Sequence, residues 1–205
     1  GEEYTLVSIA DYILSKIYNE AAAPYSLTTS SNLSSSRALR DVTEQYGGEY
    51  FAAAVGEVNV TTKMRECGAV IGGEGNGGVI YPALHYGRDA MVGVALFLTN
   101  LAYKKMKVSE LRATYPEYVI AKNKIELSDS ALIDKILVAV KTEYAAEDIN
   151  TIDGVKISFE AKREWVHLRR SNTEPIIRIY AEAATQDAAD ALAQQIIDVA
   201  NRIIG

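Results

Sequence analysis

Trp165-Val166-His167-Leu168-Arg169-Arg170-Ser171-Asn172-Thr173-Glu174-Pro175-Ile176-Ile177-Arg178-Ile179-Tyr180-Ala181-Glu182-Ala183 reads as two strands, Trp165 to Arg169 and Ile176 to Ala183, joined by a polar turn. Upstream, Val155, Ile157 and Phe159 alternate as a third strand behind the turn Asp153-Gly154. A further strand near Tyr118 to Leu127 precedes a helix that starts behind a Ser128-Asp129 cap and places Leu132, Ile136, Leu137 and Val140 on its apolar side. Downstream, Ala189, Leu192, Ile196, Val199 and Ile203 recur at helical spacing behind Thr185. Strands that succeed one another with helices only before and after them predict an α+β domain over residues 116–205, its helices on one face of an antiparallel sheet.

The first half alternates instead. Leu6, Ile9, Ala10, Ile13, Leu14 and Ile17 describe one face of a helix that Pro24 ends. The Ser/Thr-rich stretch Tyr25 to Ser36 reads as a polar loop with room for a short strand at Ser26 to Thr29. A helix from Ser36 to Tyr46 closes at Gly47-Gly48, followed by a strand at Tyr50 to Val55, a helix at 58–67 and a short strand at Ala69-Val70-Ile71. A glycine loop, Gly72 to Gly78, leads into Val79-Ile80-Tyr81. Residues 89–105 predict a buried helix with Val92, Ala95, Leu98, Leu101 and Ala102 on one stripe, and Ser109 to Thr114 a shorter one. Alternation of this kind implies a three-layer α/β domain with a mixed sheet over residues 1–115.

Composition limits the function classes. The 205 residues are 48% apolar and carry 21 Lys+Arg against 27 Asp+Glu, a formal charge of −6. A net acidic chain does not present the broad positive field of a nucleic-acid or anionic-membrane binder. The longest apolar stretch, Met91 to Leu98, is interrupted by Gly93 and falls far short of the ~20 residues of a membrane span. One cysteine, Cys67, leaves no internal disulfide and fits a reducing, cytoplasmic setting. The opening Gly1-Glu2-Glu3-Tyr4 has neither an initiator Met nor a signal pattern, so the expectation is a piece of a longer chain.

Two loops carry chemistry. Gly73-Glu74-Gly75-Asn76-Gly77-Gly78 has the G-x-G-x-x-G spacing of a dinucleotide loop, but the adjoining Val79-Ile80-Tyr81-Pro82 is β-type rather than helical, and Glu74 would repel a diphosphate. Glu74 as acceptor and Asn76 as donor and acceptor suit vicinal hydroxyls such as those of a sugar. The same residues, taken alone, fit a tight hairpin with Asn76 in a left-handed turn and Glu74 merely solvated. The second loop, Leu168 to Pro175, brings Arg169 and Arg178 to one end of the sheet. Planar guanidinium groups bind phosphate oxygens bidentately, with Ser171 and Thr173 as further donors. The alternative is an ordinary hairpin in which Arg170 and Glu174 are surface charges and Arg178 pairs with Glu182.

In this order and about a hundred residues apart, the two loops resemble the last two domains of the α-D-phosphohexomutases, the phosphoglucomutase/phosphomannomutase superfamily. The family's sugar loop, Gly-Glu-x-Ser-Gly, corresponds to Gly73-Glu74-Gly75-Asn76-Gly77, and its phosphate loop, Arg-x-Ser-Asn/Gly-Thr-x-Pro, to Arg169-Arg170-Ser171-Asn172-Thr173-Glu174-Pro175. Val55-Gly56-Glu57 ahead of Lys63-Met64-Arg65-Glu66, and Gly87-Arg88-Asp89 after the sugar loop, are also similar to family segments. Glu57 stands where some members have a cleft histidine. Asn76 stands where many have serine, which together with the Arg-Asp pair looks most like the phosphoglucosamine mutase branch. The Ser-Asn-Thr form of the second loop is shared with phosphomannomutases.

The resemblance implies a four-domain enzyme that interconverts hexose 6-phosphate and hexose 1-phosphate through a bisphosphate. Its phosphorylatable serine sits in the first domain in a Thr-Ala-Ser-His-Asn-Pro type motif, and its Mg²⁺ is held by an Asp-x-Asp-x-Asp-Arg loop in the second. Neither motif occurs in these residues, so no catalytic or metal-binding residue is expected among them, and the partners implied are the phosphosugar and the N-terminal domains of the parent chain. By resemblance, Glu74, Asn76 and Arg88 bind the sugar, and Arg169, Ser171, Asn172, Thr173 and Arg178 bind its phosphate. His85 and His167 are read as structural or surface residues. A free-standing, non-catalytic sugar-phosphate-binding module is the competing expectation.

Overall fold

The computed structural model describes residues 2–19, 26–127, 131–171 and 174–204. The chain divides into two compact units, Gly1–Glu117 and Tyr118–Gly205.

The first unit is built on a sheet of four strands, β1 (Thr29–Asn32), β2 (Tyr50–Ala53), β3 (Ile71–Glu74) and β4 (Gly78–Ile80), in the order β2-β1-β3-β4. β1 runs parallel to β2 and β3, and β4 returns antiparallel to β3. Helix α3 (Glu57–Cys67) covers one face, where Val60 and Met64 pack with Ala53, Ala69 and Ile80. On the other side lie α1 (Glu3–Asn19), α2 (Ala38–Gln45) and α4 (Ala90–Lys104), followed by the short α5 (Val108–Ala113). The mixed sheet between two helical layers is as the alternating pattern predicts.

α1 buries Leu6, Val7, Ile9, Ala10, Ile13 and Leu14, and with them one carboxylate. Asp11 accepts hydrogen bonds from the hydroxyls of Tyr46 at 2.6 Å and Tyr115 at 2.7 Å and pairs with the Lys104 ammonium, so a single group ties α1 to α2, α4 and the segment after α5. Burial, with the adjacent Asp11 carboxylate, pushes both phenols well above the ordinary tyrosine range.

Three local expectations change. The strand expected at Ser26 to Thr29 is β1, Thr29 to Asn32, and it lies at the centre of the sheet although every residue is polar. Three of its four side chains are satisfied from neighbouring elements, Thr29 by Thr43, Ser31 by Tyr50 and Asn32 by Glu74, while the buried Ser30 hydroxyl has no hydrogen-bond partner. The strand expected at Ala69 to Ile71 begins at Ile71 and takes Gly72, Gly73 and Glu74 out of the glycine loop, which shrinks to the turn Gly75 to Gly77. Helix α4 does not bury its predicted stripe: Ala95, Leu98 and Ala102 are exposed, and its buried residues are Gly93 and Asn100. Gly93 lies against Val79 and Ile9, and Asn100 donates to the Ser8 carbonyl at 2.8 Å. α4 is apolar on most sides, so spacing could not select the face that a small residue and a hydrogen bond select.

The second unit is a five-stranded antiparallel sheet, β5 (Val119–Glu126), β6 (Asp148–Asn150), β7 (Val155–Phe159), β8 (Glu164–Arg170) and β9 (Ile176–Ala183), in the order β5-β9-β8-β7-β6. Helices α6 (Ala131–Glu143) and α7 (Gln186–Ile204) cover one face, where Ile133, Ile136, Val140, Leu192 and Ile196 pack against Val155, Ile157, Val166, Leu168, Ile177 and Ile179. The Thr185 hydroxyl caps α7 by accepting from the Ala188 amide. β6 has no counterpart in the sequence reading, its three residues being too few to show alternation. The cap expected at Ser128-Asp129 lies outside the described residues.

Replacing Asp11 by Ala strands Lys104, the buried Tyr115 phenol and the half-buried Tyr46 phenol, and is expected to destabilise the protein by about 2–4 kcal/mol. Asp11→Asn, which keeps an acceptor, is expected to cost less. Urea unfolding followed by circular dichroism measures both.

Candidate functional site

β1, β2 and β3 are parallel, so their carboxyl ends share one edge of the sheet, where α/β folds place ligands. Asn32 ends β1, Glu57 comes after the turn that closes β2, and Glu74 ends β3. The Glu74 side chain is buried, accepting from Asn32 Nδ2 at 2.9 Å and facing an Arg88 nitrogen at 3.4 Å. Arg88 also donates from Nε to Glu57 at 2.8 Å, and its backbone amide donates to the same carboxylate at 3.0 Å. Those two donations hold the Glu57 carboxyl below its usual range. The backbone reaches this position through a bridge between Ile80 and Arg88.

The turn after Glu74 is held by the Ser35 hydroxyl, which accepts from the Gly75 amide at 2.8 Å, and by Asn76 Oδ1, which accepts from the Gly78 amide at 3.0 Å. Gly77, at φ +88°, takes the left-handed conformation expected of Asn76. Glu74 is not merely solvated, and Asn76 is exposed. Glu57, Asn76, Gly77, Gly78, Val79, Arg88, Asp89 and Ala90 line a hollow of about 520 Å³. Asp89, in the lining of the hollow, caps α4 by accepting from the Val92 amide; that bond and the His85 ring hold its carboxyl low.

In the second unit the register pairs Arg169 of β8 directly with Arg178 of β9, on the face away from the helices. Arg178 pairs with Glu174 at 3.3 Å, while Glu182, expected as its partner, accepts from the Trp165 indole at 2.6 Å. Arg169 Nε is buried without a hydrogen-bond partner. Ser171 is buried and its amide donates to the Ile176 carbonyl, closing the hairpin. Arg170 points to the other face, 3.6 Å from Asp134 of α6. Asn172 and Thr173 lie outside the described residues. Gly154, at φ +73°, allows the turn before β7 to lie against Arg169; a Cβ there would stand 2.1 Å from the Leu168 carbonyl oxygen.

Both units match one family in this order. The family profile described as phosphoglucomutase/phosphomannomutase, alpha/beta/alpha domain III, covers residues 2–118, and that of the C-terminal domain covers 118–199. The chain belongs to the phosphoglucomutase/phosphomannomutase family. A probable phosphoglucosamine mutase of Methanopyrus kandleri is 34% identical over 84% of this chain and 38% of its own length. A phosphoglucomutase/phosphomannomutase of Thermococcus kodakarensis is 36% identical over 77% of this chain and 34% of its own. Among solved structures, a phosphoglucomutase/phosphomannomutase family protein of Burkholderia thailandensis superposes with a TM-score of 0.75 at 25% identity, over 97% of this chain and 40% of that one. This phosphohexomutase chain thus spans little more than a third of the curated relatives it matches.

Among the described residues no group of three or more His, Cys, Asp or Glu side chains is arranged to hold a metal ion. Sequence reasoning missed Asn32 and Ser35 as supports of the glycine loop, since they sit in a stretch that reads as polar loop. Both histidines have hydrogen-bond partners within the chain. His85 pairs with Asp89 at 3.0 Å. His167 is buried and its Nε2 donates to the Asp153 carbonyl at 2.6 Å, which anchors the turn beside Arg169. Burial lowers its pKa to about 4.

The unfolded chain takes up a proton on His167 below its ordinary pKa, 6.5, whereas the folded chain waits until about 4. Stability from this residue is therefore present above 6.5 and is lost as the pH falls through that window, about 3 kcal/mol in all. His167→Gln is expected to remove that part of the slope, read as the difference from the parent in urea unfolding followed by Trp165 fluorescence at pH 4 to 7.

Proposed function

We propose that this chain is the sugar- and phosphate-binding half of a phosphosugar mutase, an isomerase that interconverts hexose 6-phosphate and hexose 1-phosphate, with glucosamine phosphate as the favoured substrate. The observation that carries the reading is the direct cross-strand pairing of Arg169 with Arg178, one of them with a buried, unpartnered Nε. Like charges placed opposite one another repel unless an anion lies between them, and a phosphate monoester is such an anion. Asn172 and Thr173 of the intervening turn, with the Ser171 hydroxyl, supply further donors.

Glu74, Asn76 and Arg88 engage the sugar. Glu74 retains acceptor positions beyond those used by Asn32 and Arg88, and the Asn76 carboxamide nitrogen offers donors to the hollow. Gripping the phosphate that is not being transferred supplies binding energy away from the reacting oxygen, and positions that oxygen whichever end of the sugar is reacting. A phosphoserine elsewhere in the parent donates its phosphoryl group to a hexose monophosphate, the bisphosphate reorients, and the opposite phosphate returns to the serine. The parent is a cytoplasmic phosphoprotein whose Mg²⁺ is bound outside these 205 residues, so this chain alone catalyses nothing.

A second reading, phosphoglucomutase/phosphomannomutase, is favoured by the Thermococcus relative and by the Ser-Asn-Thr turn. Comparing glucosamine, glucose, mannose and N-acetylglucosamine phosphates as substrates of the full-length parent separates the two. In that enzyme Arg169→Ala with Arg178→Ala is expected to lower kcat/KM at least about 100-fold with the fold intact. Unchanged kcat/KM would place the phosphate site elsewhere. Glu74→Gln is expected to reduce discrimination among the sugars more than affinity for inorganic phosphate.

A further inference from the structure

β9 is paired on both sides. Its register puts Lys124 of β5 opposite Arg178, which is itself opposite Arg169 of β8. Residues directly opposite on neighbouring strands share a face, so Lys124, Arg178 and Arg169 form a row of three cations across three adjacent strands, on the face away from α6 and α7. Strands lie about 5 Å apart, which puts the ends of the row about 10 Å from each other, a span that long side chains can close around one small anion.

Among the described residues, the carboxylates paired with the row are Glu126, 2.7 Å from the Lys124 ammonium, and Glu174, 3.3 Å from Arg178. Both are exposed, and Lys124 itself is 59% exposed, so neither pair is a strong competitor for a ligand. Lys122 provides a contrast on the same strand and face. It lies opposite Tyr180, with its ammonium 5.9 Å from the ring centroid, one step further from the hairpin end.

From this register we infer that Lys124 is a third phosphate-binding residue, and that with Arg169 and Arg178 it forms a site for the dianionic form of a phosphate monoester. The inference rests on the reading of the β8–β9 turn as the phosphate site. A phosphate monoester carries close to two negative charges at pH 7, its second proton leaving near pH 6. The two guanidinium groups match its oxygens in pairs, and the ammonium adds a compact charge that needs no fixed orientation. Glu126 and Glu174, being exposed, turn to solvent when the anion enters.

Calorimetric titration of this chain with inorganic phosphate and with glucosamine 6-phosphate, at pH 5 to 8 and at low and high salt, tests it. Lys124→Gln is expected to weaken both ligands about tenfold at pH 7.5. It is also expected to reduce the salt dependence and to flatten the gain in affinity that the unsubstituted chain shows as the ligand loses its second proton. Lys124→Arg should keep most of the affinity, and Lys122→Gln should bind as the unsubstituted chain does. Lys124→Gln binding unchanged, or Lys122→Gln losing as much, overturns the role of Lys124. Absence of binding by the unsubstituted chain, or binding that survives Arg169→Ala with Arg178→Ala, overturns instead the phosphate-site reading on which it rests.

Discussion

Glu74 ends a strand that is otherwise isoleucine and two glycines, and its side chain is 7% exposed. A carboxylate taken that far out of water needs partners, and the partners decide the layout of the site edge. Asn32 reaches it from the central strand, Arg88 from the segment after β4, and Glu57 then holds Arg88 from the first turn of α3. One requirement thus fixes the carboxyl ends of three parallel strands and leaves a hollow lined by groups that hydrogen-bond. The polar central strand follows much the same logic: the Thr29 and Ser31 hydroxyls pair with Thr43 and Tyr50, and Asn32 at its end pairs with Glu74.

The second unit leaves its charges unbalanced. Arg169 and Arg178 face each other across a sheet whose other face is a closed apolar core. The buried supports around them, His167 on the Asp153 carbonyl and Glu182 on the Trp165 indole, are neutralised or paired locally. The remaining charge is positive and sits at the hairpin end, in a chain whose net charge is −6. Two guanidinium groups held directly opposite one another are the feature on which the proposed phosphate site rests.

Much of this was legible in the sequence because β9 and α7 carry strong, uninterrupted periodicity, and because the order of turn residues between β8 and β9 is distinctive. The two-unit organisation and the helices on one face of the second sheet come from the same pattern. The features that periodicity hid are long-range. Thr29-Ser30-Ser31-Asn32 has no apolar residue to mark it as a central strand, since its burial depends on hydroxyl partners 14 and 19 residues away. The buried face of α4 is chosen by Gly93 and Asn100, which no hydrophobic count weights. Lys124 is one of two lysines in an alternating strand, and only the register with β9 puts it, and not Lys122, in line with the arginines.

The central claim is that phosphate is held by the β8–β9 hairpin and sugar by the edge of the first sheet. A two-dimensional amide NMR titration of this chain, first with inorganic phosphate and then with glucosamine 6-phosphate, tests it most directly. The account predicts that phosphate perturbs the amides of Arg169, Ser171, Ile176 and Arg178 and leaves Gly75 to Gly78 and Arg88 in place, while the phosphosugar perturbs both sets. Phosphate shifts centred on the glycine turn, or none at the hairpin, would contradict it.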